Sequence, residues 1–128
     1  MTLLDAKQAV RLQLDAIAQD QGVAIAHEAR DQAHDLPRIE VADGVETSTT
    51  ITLSGVRRIL AKMTITIVTP WGDGTAGASA LYTAIMAAFP ANSFWGGGRM
   101  QTPPTATGAT RDGAERRLPL TLELDVFD

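Results

Sequence analysis

The sequence predicts an α+β fold in a single domain, residues 1–128, built as a mainly antiparallel sheet with two helices packed on one face. Three observations predict it. Two segments, residues 59–67 and 118–126, alternate apolar and polar side chains with a period of two. Two others, near the N-terminus and at residues 75–89, carry apolar residues at helical spacing. The links between the strand-like runs are of hairpin length, which favours antiparallel pairing over crossovers.

In chain order, Thr2 followed three residues later by Asp5 resembles a capping box, with Asp in place of the usual Glu. Leu3, Val10, Leu14 and Ile17 then share one stripe of a helix that Gly22 ends. Fully burying each of those four side chains contributes about 1.5–3 kcal/mol, enough to dock the helix on a sheet. Val23-Ala24-Ile25-Ala26 reads as a short strand, and the polar stretch from His27 to Pro37 reads as a loop. Arg38 to Val41 and Glu46 to Leu53 read as two strands of a hairpin turned at Asp43-Gly44. After Ser54-Gly55 comes the clearest strand. Its Ile59, Ala61, Met63, Ile65 and Ile67 point one way, and Lys62, Thr64 and Thr66 the other. Pro70 to Gly77 connect to the second helix, and Pro90 with Gly96-Gly97-Gly98 breaks the chain after it. Residues 99–114 read as an edge strand and a loop because of Pro103-Pro104 and Asp112-Gly113. The chain closes with Leu118, Leu120, Leu122, Leu124 and Val126 alternating against Arg117, Thr121, Glu123 and Asp125.

Composition narrows the function. At 128 residues there is room for one core. The absence of cysteine removes disulfides, thiolate metal sites and cysteine nucleophiles. Met1 to Lys7 lack the pattern of a secretory signal, and no run approaches the roughly 20 apolar residues of a membrane span, so a soluble chain with no membrane partner is expected. Net charge is −4, with four basic and nine acidic groups in residues 1–46 against seven and six in residues 47–128. Gripping nucleic acid needs a basic face. Contact with DNA is therefore expected only as passage.

Motifs that suggest chemistry lack their context. Gly72-Asp73-Gly74-Thr75-Ala76-Gly77 has the GxGxxG spacing between a strand and a helix, as in a dinucleotide site. That fingerprint also needs a second parallel strand ending in an acidic residue about 20 positions on, yet no acidic residue occurs between Asp73 and Asp112. The glycines instead suit a tight strand-to-helix turn, with Asp73 or Thr75 as the helix cap. His27 with Glu28 and His34 with Asp35 are spaced by seven, not by the four that puts two imidazoles on one helical turn. Ser79 lies in a helix among apolar neighbours, a packing position without a GxSxG elbow. No cofactor, metal or catalytic residue is assigned, and a non-enzymatic role is expected. A small nucleotide-binding enzyme domain using the Gly72–Gly77 loop is the alternative of a different class.

The segment from Gly74 to Gly98 has no charged residue. Its helix, with Leu81, Tyr82, Ile85, Met86 and Phe89 among small residues, is dry at nearly every azimuth, and a sheet covers only one side of a helix. A second protein surface, most simply another copy of the chain, is expected on the other side. Candidate interface residues are Leu81, Tyr82, Ile85, Met86 and Phe89, with Trp71 and Trp95 flanking the helix, some of these being core. Arg57-Arg58 and Arg116-Arg117 stand at strand starts, where adjacent side chains face opposite ways and cannot form one phosphate clamp. Solvated or salt-bridged arginines are expected there, with Arg57 and Arg58 also candidates for a subunit contact.

The order of parts resembles the tail terminator, or tail completion, proteins of long-tailed bacteriophages. The resemblance rests on a strand, Pro70-Trp71-Gly72-Asp73-Gly74, a small-residue helix, Phe89-Pro90, a glycine break, the Pro103-Pro104 edge and the closing Leu118-Pro119-Leu120-Thr121-Leu122. It implies a virion protein assembled in the host cytoplasm into a homo-oligomeric ring, typically a hexamer. The ring would cap the head-proximal end of the tail tube, stop tube polymerisation and receive the head-tail connector or stopper protein, with the genome passing through its lumen. Another neck or head-closure ring protein is the alternative within this class.

Overall fold

The computed structural model describes residues 2–27, 36–50, 55–73 and 76–127. They form an α+β domain: an eight-stranded, mostly antiparallel sheet with two helices on one face. The elements are α1 (Thr2–Gln21), β1 (Ala24–His27), β2 (Arg38–Thr50), β3 (Arg57–Pro70), a 3-10 turn (Trp71–Asp73), α2 (Ala76–Ala88), β4 (Ser93–Trp95), β5 (Gly98–Met100), β6 (Thr105–Ala106), β7 (Thr110–Asp112) and β8 (Glu115–Phe127). The sheet runs β1-β2-β3-β8-β5-β4, with β6 and β7 also pairing to β8.

The core follows from the two alternating strands. Ile59, Ala61, Met63, Ile65 and Ile67 of β3 stand in register with Val126, Leu124, Leu122, Leu120 and Leu118 of β8, so one face of the pair is a continuous apolar surface. Against it α1 buries Ala6, Val10, Leu14, Ile17 and Ala18, and α2 buries Ala78, Leu81, Ile85 and Phe89. Gly22, with φ of 69°, stops α1 as expected: its N–H reaches Gln19 O at 3.3 Å, and Val23 N–H reaches Ala18 O at 2.9 Å. The side chain of Thr2, expected to cap the helix, lies outside the described residues.

Three local expectations fail, each for a physical reason. Asp43-Gly44 is no hairpin turn, because β2 runs on as one strand and slips by one residue between Asp43, opposite Met63, and Glu46, opposite Ala61. The bulge keeps both acids on the helix side of the sheet, where a regular strand would have turned one away. There Lys7, a buried residue of α1, ion-pairs Glu46, while Arg11 Nη2 meets Asp43 Oδ1 at 2.5 Å. Gly44 fits because a Cβ would stand 3.1 Å from Lys62 Cβ. His27 is not in a solvated loop: it ends β1, which pairs in parallel with β2, and its buried ring places Nε2 2.7 Å from Asp15 Oδ1.

The third concerns residues 99–114. Instead of one edge strand and a loop, they take part in three short strands, β5, β6 and β7. Trp95 pairs with Gly98 across Gly96-Gly97, whose φ values of 54° and 95° give the two left-handed residues of a tight hairpin. This turn lies on α1, where a Cβ at Gly96 would fall 2.5 Å from Asp5 O and one at Gly98 2.9 Å from Ala6 Cβ.

Candidate assembly surface

Around α2 the uncharged sequence resolves into two unequal sides. Leu81, Ile85 and Phe89 are buried with Ala78 in the core, Tyr82 and Met86 are half-buried, and Gly77, Ser79, Ala80, Thr83 and Ala87 face outward. Bulk turns in; small side chains turn out. Ser79 is thus exposed and not at a packing position. The outer side keeps the expected lack of charge, but as a shallow surface of alanine, serine and threonine.

The two tryptophans have separate tasks. Half-buried Trp95 packs on Phe89, ring centroids 4.8 Å apart at 49°, and its Nε1–H donates to Ser93 Oγ at 2.9 Å. It holds the β4–β5 hairpin to the end of α2. Trp71 is 43% exposed, its N–H donates to Ala114 O at 2.8 Å, and the Arg111 guanidinium stacks 4.8 Å over its ring.

Opposite the helices the sheet is polar, and ion pairs form at both of its ends. At one end Arg117 Nη2 donates to Glu40 Oε1 at 2.6 Å and Arg38 Nε to Glu40 Oε2 at 2.8 Å, while Arg38 Nη1 meets Glu115 Oε2 at 2.9 Å. Burial alone would raise the pKa of Glu40, but the hydrogen bonds from Arg117 and Arg38 outweigh it and hold the carboxyl below its ordinary range. Desolvation likewise works against the Arg38 charge and is overcome by Glu115 and Glu40. At the other end Arg58 grips Asp125 bidentately, Nε to Oδ1 at 2.7 Å and Nη2 to Oδ2 at 2.9 Å, and Gln101 Nε2 donates to Oδ2 at 2.6 Å. These bonds, Arg58 first, hold the Asp125 carboxyl below its usual range. Arg58 and Arg117 are therefore salt-bridged, whereas Arg57 is exposed.

Large apolar side chains do reach the surface, at places the sequence reading passed over. Phe94 is 72% exposed on edge strand β4, Leu4 and Leu12 stand on the outer side of α1, and Val56 and Phe127 lie at strand ends. Leu4 and Leu12 fall off the buried stripe of α1, and Phe127 falls on the polar side of the β8 alternation. Those phases were the available signals.

Among the described residues no group of three or more His, Cys, Asp or Glu side chains is placed to hold a metal ion, and no helix is long and apolar enough to cross a membrane. Glu28, His34 and Asp35 lie outside the described residues, as do Gly74 and Thr75 of the glycine motif and the side chain of Asp73. Gly72 and Gly77 border open space and have no left-handed φ. α2 leads into the antiparallel β4–β5 hairpin, so the parallel strand a dinucleotide fingerprint requires does not follow it. The cleft of about 140 Å³ between Arg58, Leu60, Arg99, Gln101, Glu123 and Asp125 is lined by the mutually bonded Arg58, Asp125 and Gln101.

No protein-family model matches the chain, and no curated protein does. Solved structures do. A protein designated only by a sequence identifier superposes with a TM-score of 0.77 over 98% of this chain and 96% of its own, at 20% identity. A chain from the virion of a native gene transfer agent particle superposes with a TM-score of 0.59 over 99% of this chain and 98% of its own, at 19% identity. At such identities the likeness is one of fold.

Proposed function

We propose that this chain is a structural virion protein of the tail-terminator type. Its copies close into a ring, a hexamer, on the head-proximal end of the tail tube, stop tube growth and present the surface that the head-tail connector joins. The observation that carries this reading is the end-to-end fold likeness to a chain of a gene transfer agent virion. The surface agrees with it: an uncharged outer side of α2, together with exposed Phe94, Leu4, Leu12 and Phe127, leaves apolar area for partners. The role needs no catalytic residue and no cofactor. Its specificity comes from shape and polar rims, and a net charge of −4 suits a lumen through which DNA passes without being held.

A tube-growth assay tests the role. Added to tail tube protein during polymerisation, the purified chain should arrest elongation and appear as a ring at one tube end in negative-stain micrographs. Rings that leave tube length unchanged would favour the neck or head-closure alternative. Tubes of unchanged length with no rings would contradict the proposal.

A further inference from the structure

We propose that neighbouring copies are joined by Phe94 of one subunit seated in the groove between α1 and α2 of the next, with Arg99 of the first paired to Asp20 of the second. This rests on the ring reading and names its contact.

The projecting half is unusual. Phe94 is the most exposed large apolar side chain among the described residues. It stands on the sheet's terminal strand, paired to β5 on one side only. Its cross-strand partner is Arg99, which in turn stands opposite Asp125, so both project from the helix-free face. Arg99 is exposed and donates to Asn92 Oδ1 at 2.6 Å, which steadies the guanidinium beside the ring.

The receiving half lies in the helix layer. Gln13 and Ala16 of α1 and Ala84, Ala87 and Ala88 of α2 line an open groove of about 380 Å³. Alanines leave it wide because no side chain fills it. Asp20 supplies its only charge. This carboxylate is exposed in the last turn of α1, which itself holds no basic residue, and the helix dipole disfavours it there, so an incoming cation is welcome.

Charge selects this groove over its rival. The depression between Ala78, Ser79, Tyr82 and Leu118 is also apolar, but Arg116 lines it and would repel Arg99. Knob and groove sit on opposite layers of the subunit, so the contact joins unlike surfaces. Contacts of that kind propagate head to tail and close into rings when the rotation allows.

The chain has no cysteine, which makes a clean test possible. F94C and A87C change exposed positions and should fold normally by circular dichroism. Mixed under mild oxidation, they should yield a disulfide-linked dimer that neither gives alone, and F94C/A87C in one chain should yield a covalent ladder. D20R and R99D should each shift assembly to higher protein concentration, and D20R/R99D together should shift it back. If the unmodified chain forms rings but the mixture gives no cross-link and F94S assembles normally, the contact is wrong and the ring reading stands. If the unmodified chain forms no ring alone or on tubes, the contact and the ring reading both fall.

Discussion

The two faces of the β3–β8 pair are made by the same strands and held by opposite means. On the helix side, Ile59 to Ile67 and Leu118 to Val126 meet in register and are sealed by α1 and α2. On the other side, Arg58 with Asp125, Lys62 with Glu123, and Arg117 with Glu40 keep charges in contact with water and with each other. A sealed face has no apolar area left for a partner, and a face of satisfied ion pairs gives little by being covered, because its charges would lose water without gaining new partners. What remains for assembly is the margin of the sheet, where Phe94 and Phe127 stand out, and the outer sides of the helices, with Leu4 and Leu12 on α1 and small residues on α2.

The contrast is broken most severely from the sealed side. Ile85→Asp places a carboxylate where Ile85 is fully buried. The expected cost exceeds the roughly 2–5 kcal/mol of a large-to-alanine change, and circular dichroism should show no cooperative unfolding transition. Met86→Asp, one residue on and half-buried, should leave a folded subunit and weaken assembly. If both merely unfold the chain, burial on two sides of α2 is unsupported.

Gly96→Ala should come next. It sets a Cβ against Asp5 O and forces a left-handed φ on alanine, a loss on the order of 3 kcal/mol by urea denaturation. A wild-type midpoint would show that the hairpin does not rest on α1.

On the open face the effect depends on pH. The Asp125 carboxyl is held below its ordinary range, so its contribution is complete above about pH 4 and is lost as pH falls through its lower folded-state value. Asp125→Asn should flatten that acid-side loss in a stability-pH profile, and an unchanged profile would remove Asp125 from the explanation. The smallest change is Lys62→Ala. Its 3.5 Å pair with Glu123 is exposed on both sides, and urea unfolding should move by about 0.5 kcal/mol or less.

Periodicity made the architecture readable. β3 and β8 alternate over their apolar span, and the Leu3-Val10-Leu14-Ile17 stripe fixed both α1 and its buried side. What failed to read was non-local. Asp43-Gly44 carries a turn's residues, yet the register with β3 and the ion pairs to Lys7 and Arg11 make it a bulge. His27 follows three residues of weak strand character and becomes part of the sheet only through parallel pairing with β2. Of the residues around α2, hydropathy could not tell Leu81, Ile85 and Phe89, which turn inward, from Met86, which is half-buried. Phe94 and its groove depend on tertiary placement, for the sequence shows only one more aromatic beside a glycine run. The Gly96-Gly97 pair was a hairpin signal in plain view between Trp95 and Gly98.

Self-association of this one chain is the central claim, and native mass spectrometry of the purified protein across a wide concentration range, alone and with tail tubes, tests it most directly. The expected result is one discrete closed oligomer that excludes intermediate sizes as concentration rises. A monomer at every concentration, with none retained on tubes, would contradict it.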